Sequence, residues 1–146
     1  MRCFMWISSR LITIIDMDVR GRIPFSWRAR ARSFRYAFAG MITLFRQEHN
    51  VRIHCVAAVC AVIAGCLCRI SALKWCMVVG CIGAVLMAEA FNSAIEAVCD
   101  KVSPEYSVFI KKAKDVAAAA VLFVAIASVI IGCVIFVPAI YDLANE

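Results

Sequence analysis

The chain has 146 residues, 64% of them hydrophobic and 18% charged, with a formal net charge of +6 and a mean hydropathy of +0.88. So little polar surface cannot clothe a soluble globule of this size, whereas the length suffices for about three spans of roughly 20 residues, a polar arm and a single core. Most of the sixteen basic residues lie at or before Arg52; arginines beside a membrane span serve topology and anionic lipid, so no nucleic-acid partner is expected.

Residues 1–25 read as a variable N-terminal extension, surface-lying or mobile. The stretch 1–15 is apolar enough to resemble a signal peptide, but Arg10 breaks it and no small-residue cleavage site precedes Asp16 and Asp18. From Ser26 to Gln47 basic and apolar residues mix at helical spacing, with Phe34, Phe38, Met41, Ile42 and Phe45 forming a candidate buried stripe opposite Arg28, Arg32 and Arg35. This fits an interfacial amphipathic helix, or an ordinary helix packed on the spans.

The body, residues 26–141, then carries three expected spans, at about 51–68, 73–99 and 116–137, before a short tail at 142–146. The brief turn around Arg69 and Lys74 makes the first two spans antiparallel neighbours. Gly80, Ala84 and Ala88 offer a small-residue seam or simply lipid-facing filler. The next connection carries Ser103, Pro104, Lys111, Lys112, Lys114 and Asp115, with the proline as a helix stop. The third span starts on four alanines at 117–120 and is expected to end at Pro138. The predicted class is therefore an all-α membrane protein, three transmembrane helices behind an amphipathic interfacial helix. By the positive-inside rule the N-terminus and the connection at 100–115 are cytoplasmic, and the turn at 69–74 and the C-terminus lie outside. The cysteines, Cys55, Cys60, Cys66, Cys68, Cys76, Cys81 and Cys133 among them, fall in or beside apolar runs and act as small hydrophobes; neither a metal nor a redox spacing is present.

Four polar residues interrupt the second span: Glu89, Asn92, Glu96 and Asp100, spaced three, four and four. At about 100° per residue that spacing aligns them on one helical face. Ionisable groups at membrane depth are expensive, so such a stripe marks a functional site. Carboxylates near a membrane surface, with lysines on the same side, suggest phosphate handled through a divalent cation, since Mg²⁺ is typically held by one or two carboxylates plus substrate phosphates. Glu48 at the mouth of the first span and Glu96 form the natural pair. Glu89 lies deeper, where a carboxylate taken out of water becomes a better proton acceptor. No GxxxxGK or GxGxxG loop is present, so a nucleotide site would be built from the spans and their cytoplasmic ends. Two other readings stay open on composition: interhelical ion pairing in a non-enzymatic membrane subunit, and a proton or cation pathway.

The stretch Glu89-Ala-Phe-Asn92-Ser-Ala-Ile-Glu96-Ala-Val-Cys-Asp100, with Ser103-Pro-Glu-Tyr106 and Ala113-Lys114-Asp115-Val-Ala-Ala after it, resembles the signature of the prokaryotic diacylglycerol kinases, which include the undecaprenol kinases. Similarity reaches back through Phe34-Arg-Tyr36-Ala-Phe and Phe45-Arg-Gln-Glu48 and covers residues 33–137. The resemblance implies a bacterial inner-membrane homotrimer with active sites shared between subunits, transferring the γ-phosphoryl group of ATP to a membrane lipid alcohol and feeding phospholipid or lipid-carrier recycling. It implies Glu89 as the base toward the lipid, with Ala118 beside that substrate. Glu48 and Glu96 would hold Mg²⁺, and Tyr36, Glu48, Asn92, Glu96, Asp100, Glu105, Tyr106, Ser107, Lys114 and Asp115 would line the nucleotide site. A further ATP-contacting arginine of the family would correspond to Arg28, to Arg30 or to neither. The run His49-Asn-Val-Arg-Ile-His54 is similar to the undecaprenol kinase branch; Arg52 and His54 could equally anchor the helix among lipid headgroups.

Overall fold

The computed structural model describes residues 26–103 and 105–145. The expected extension at 1–25 and the proline stop at Pro104 lie outside them. Among the described residues every regular element is an α-helix: α1 Trp27–Gln47, α2 His49–Leu67, α3 Ala72–Val102 and α4 Val108–Ala144. The last three are long and apolar enough to cross a membrane, so the all-α class with three spans holds. The chain divides into two compact units, the second beginning at Gly40.

Ser26 starts α1 as its N-cap, its hydroxyl accepting the N–H of Ala29 at 3.4 Å while its carbonyl accepts that of Arg30 at 3.1 Å. The stripe of Phe34, Phe38, Met41 and Ile42 is more than half exposed and no residue of α1 is buried, in contrast to the expected buried stripe. An interfacial helix buries such a face in lipid rather than in protein. The helix breaks at Glu48, whose extended backbone (φ −96°, ψ 118°) separates α1 from α2.

The turn from α2 into α3 is a Schellman closure. The Ile70 N–H reaches back to Gly65 O at 3.2 Å and the Arg69 N–H to Cys66 O at 3.3 Å. Arg69 takes the left-handed position (φ 47°) that usually falls to glycine. The glycine of this corner is spent instead at Gly65. A Cβ there would lie 2.9 Å from Trp75 Cη2 and 3.2 Å from Ile70 Cδ1, so the indole packs directly on bare backbone.

Along α3 the buried and half-buried positions alternate by three and four residues: Trp75, Val78, Ile82, Val85, Glu89, Asn92, Glu96 and Cys99. In α4 the matching series is Ala117, Val121, Val124, Ser128, Ile131 and Ile135. A repeat averaging 3.5 residues is the pattern of helices packed knobs-into-holes at a shallow crossing angle. The α3–α4 contact is accordingly the most extensive, α2 packs less widely on α3, and α2 meets α4 only sparsely. The tightest core joins Ile70, Val78 and Ile135, with Trp75, Ile82 and Phe136 against it. Because lipid is as apolar as these side chains, packing contact rather than water exclusion holds such a seam together.

α4 departs from expectation at both ends. It begins at Val108, so Lys111, Lys112, Lys114 and Asp115 are helical rather than part of a connection, and it runs through Pro138 to Ala144. The first two turns gain support from Lys111 and Asp115, paired four residues apart at 2.5 Å. Proline removes one helical hydrogen bond, but in an apolar surrounding ending the helix there would leave more backbone groups unpaired than the proline does. Gly80, of the suggested small-residue seam or lipid-facing filler, has nothing among the described residues within 4 Å of the place a Cβ would occupy.

Candidate active site

Glu89 sits midway along α3 and is only 2% exposed, the one buried charged residue among those described. A carboxylate at such depth requires a donor. It finds one on α2, where His54 Nε2 lies 3.1 Å from Glu89 Oε1. One turn on, Asn92 Nδ2 donates to Glu96 Oε1 at 3.2 Å, while Asn92 Oδ1 and the hydroxyl of Ser93 are buried without a partner. Further along the same helix Asp100 Oδ1 accepts from Lys114 Nζ at 2.5 Å, tying α3 to α4. The stripe thus grades from buried at Glu89, through half-buried Asn92 and Glu96, to exposed Asp100.

Two cavities meet at the buried end. The smaller, about 340 Å³, is lined by Asn50, Ile53, His54, Glu89, Asn92, Ala118, Val121, Leu122 and Ala125. The larger, about 490 Å³, runs on past Ala57, Ala61, Val85, Ser128 and Gly132 to Phe136 and is almost wholly apolar. His54 and Ala125 border both. The first cavity thus has the Glu89 carboxylate in its wall, and the second has almost only apolar groups.

The structure brings Glu89, Asn92 and Ala118 to one cavity, couples Asn92 to Glu96, and pairs Asp100 with Lys114. Asp115 is engaged by Lys111 instead. Glu48 is half-buried at the start of α2, where its carbonyl accepts from Arg52 Nε at 3.4 Å. Glu105 and Tyr106 are exposed in the α3–α4 connection, Tyr106 at 82%, and Ser107 is the N-cap residue of α4. Tyr36 belongs to the N-terminal unit, with the Arg35 guanidinium 5.7 Å from its ring centroid. The sequence placed His54 in a run similar to the undecaprenol kinase branch, with a headgroup anchor as the alternative, and its pairing with Glu89 was missed. A buried carboxylate must have a donor, and His54 is the one histidine inside an expected span, on the antiparallel neighbour.

No group of three or more His, Cys, Asp or Glu suited to a metal occurs among the described residues. Glu48 and Glu96 nevertheless suit Mg²⁺, which takes hard oxygen donors and commonly draws most of its ligands from phosphate and water.

A model of the prokaryotic diacylglycerol kinase family matches residues 35–136, a range that contains the whole polar stripe and its partners on α2 and α4. The chain belongs to the prokaryotic diacylglycerol kinase family. It is 36% identical over 107 residues to an undecaprenol kinase of Bacillus subtilis, covering 73% of this chain and 87% of the relative. It is 38% identical over 112 residues to a diacylglycerol kinase of Synechocystis, covering 76% of this chain and 64% of that protein. Identity to the diacylglycerol kinase of Escherichia coli K12 is 33% over 100 residues, 68% of this chain and 82% of the relative. The chain is thus a membrane lipid kinase, a phosphotransferase of the family whose members use ATP as donor, which displaces the non-enzymatic and conducting readings of the stripe.

Proposed function

We propose that this kinase moves the γ-phosphoryl group of ATP to the hydroxyl of a long-chain membrane lipid, diacylglycerol or undecaprenol, with Glu89 accepting the hydroxyl proton. One observation carries the reading: a buried carboxylate opens onto a cavity that continues into an apolar one, so a lipid's polar end and its chain each meet matching surroundings. The lipid oxygen attacks phosphorus as its proton passes to Glu89, and ADP leaves with the electron pair of the broken bond. Ala118, with no more than a methyl group on the cavity wall, leaves room for the lipid headgroup.

The nucleotide is proposed to lie toward the exposed end of the stripe. Lys114, held by Asp100, is positioned there to offset phosphate charge, and Asn92 orients by hydrogen bonding. Tyr36, Glu105, Tyr106, Ser107 and Asp115 complete the proposed ATP contacts. Glu48 and Glu96 would hold Mg²⁺, which when bound neutralises charge on the phosphates. The basic N-terminal arm supports a cytoplasmic N-terminus in a bacterial inner membrane. The many exposed apolar side chains on α2, α3 and α4 leave surface both for lipid and for the neighbouring copies of a homotrimer. The lipid phosphate formed would enter phospholipid synthesis or lipid-carrier recycling.

The test is ATP-dependent phosphorylation in mixed micelles with diacylglycerol and undecaprenol offered separately, with and without magnesium. A magnesium-dependent lipid phosphate names the acceptor. No product with either lipid from assembled protein overturns the proposed acceptor class.

A further inference from the structure

We propose that His54 is a positioning residue for phosphoryl transfer: its Nε2–H holds Oε1 of Glu89 and thereby commits Oε2 of the same carboxylate to the lipid hydroxyl. The proposal rests on Glu89 being the base. A carboxylate left alone in a cavity wall has two equivalent oxygens and a freely turning terminal torsion, so neither oxygen is reserved for the substrate. Here one is taken. His54 Nε2 approaches Glu89 Oε1 to 3.1 Å, and because an ionised carboxylate has no proton to give, the hydrogen bond the proposal needs is one the imidazole donates.

The placement of His54 favours this role over headgroup anchoring. Its side chain is 25% exposed and points back into the bundle toward a residue that is 2% exposed. It borders both the smaller cavity, which has Glu89 in its wall, and the larger apolar one, so it touches both the wall that would receive the hydroxyl and the wall that would receive the chain behind it. Asn92 also lines this cavity, and its Oδ1 is buried without a partner. In the reaction His54 keeps its proton: the O–H bond of the lipid breaks, its proton goes to Glu89 Oε2, the new O–P bond forms, and the bond to ADP breaks.

The experiment compares the full-length wild type with His54→Leu, His54→Gln and Glu89→Gln in mixed micelles, measuring kcat and the KM for ATP and for lipid, with a thermal melt of each. Leucine fills the space without a donor; glutamine keeps an N–H at similar reach. The expected result is a kcat about 10- to 100-fold lower in His54→Leu with KM for ATP unchanged, as for a misplaced reacting group, and recovery of at least about fivefold in His54→Gln. If the leucine variant fails to assemble, His54→Met takes its place in the comparison. Full turnover in the leucine variant beside an inactive Glu89→Gln removes the role of His54 and leaves Glu89 standing. Equal loss in the leucine and glutamine variants shows a merely structural residue and also overturns the proposal. An active Glu89→Gln overturns the proposal together with the base on which it rests.

Discussion

At one end of α3 the seam positions Trp75, Val78 and Ile82 pack against Ile70, Ile135 and the bare backbone of Gly65, and what they share with the larger cavity is apolar. At the other end the same seam carries Glu89, Asn92 and Glu96 and opens onto a cavity of about 340 Å³. One helix with one repeat therefore serves as a packed anchor and as the polar wall of a cavity. The lesson is mechanical. In an apolar phase polar side chains cannot be held by water exclusion, so their register is set by contacts elsewhere on the same rigid helix. The apolar half fixes where the polar half stands.

The sharpest way to break that comparison is to exchange damage between the two halves. Glu89→Gln keeps shape and removes the proposed base, so kcat should fall about 10²- to 10⁴-fold, the range for a positioned acid or base, with the melt in detergent unchanged. Loss of assembly in that variant would mean that the polar half is structural after all. Gly65→Ala should do the opposite. Its Cβ would come within 2.9 Å of the Trp75 indole, an overpacking that costs about 1–3 kcal/mol and lowers the melting temperature, while turnover per folded molecule is retained. Trp75→Leu in the same chain should restore much of the loss; failure to do so would show that the indole is not what crowds the site. Arg69→Gly refines the same end more gently. Relief of a left-handed residue at φ 47° should stabilise by about 1 kcal/mol or less, because glycine also gains freedom in the unfolded chain. A raised melt with unchanged kcat is the expected pair of readings.

The polar half was the more legible in sequence, and the reason is chemical. Charges inside an apolar run stand out at once, and Glu89, Asn92 and Glu96 lie on the helical face that their spacing indicates. What could not be read was the partner. His54 is thirty-five positions from Glu89, and only the turn geometry decides which residue of α2 comes opposite. The apolar half was opaque for a related reason: valines and isoleucines look alike whether they face protein or lipid, so the Gly65–Trp75 contact had no signature, and Gly80, which the spacing left as either a contact or lipid-facing filler, is open. Helix ends were misread where lysines at 111–114 suggested a loop. Long basic side chains on the first turns of a helix can reach water at the membrane edge, so charge there does not end a helix.

Asp100 and Lys114 provide the finest test, because they belong to the polar half and yet lie where water can reach. Their 2.5 Å contact links α3 to α4, and on distance alone it looks like a clamp. Asp100 is 66% exposed and Lys114 32%, however, and exposed ion pairs add little to stability once solvent and salt screen them. If the pair positions the ammonium group for phosphate, Asp100→Asn should leave the melt within error and raise the KM for ATP roughly threefold, the scale of one screened charge contact. Lys114→Met should raise it at least as far, and added salt should narrow the gap between each variant and wild type. A lowered melt in Asp100→Asn with an unchanged KM would place the residue with Trp75 and Gly65, on the side of the molecule that holds rather than the side that reacts.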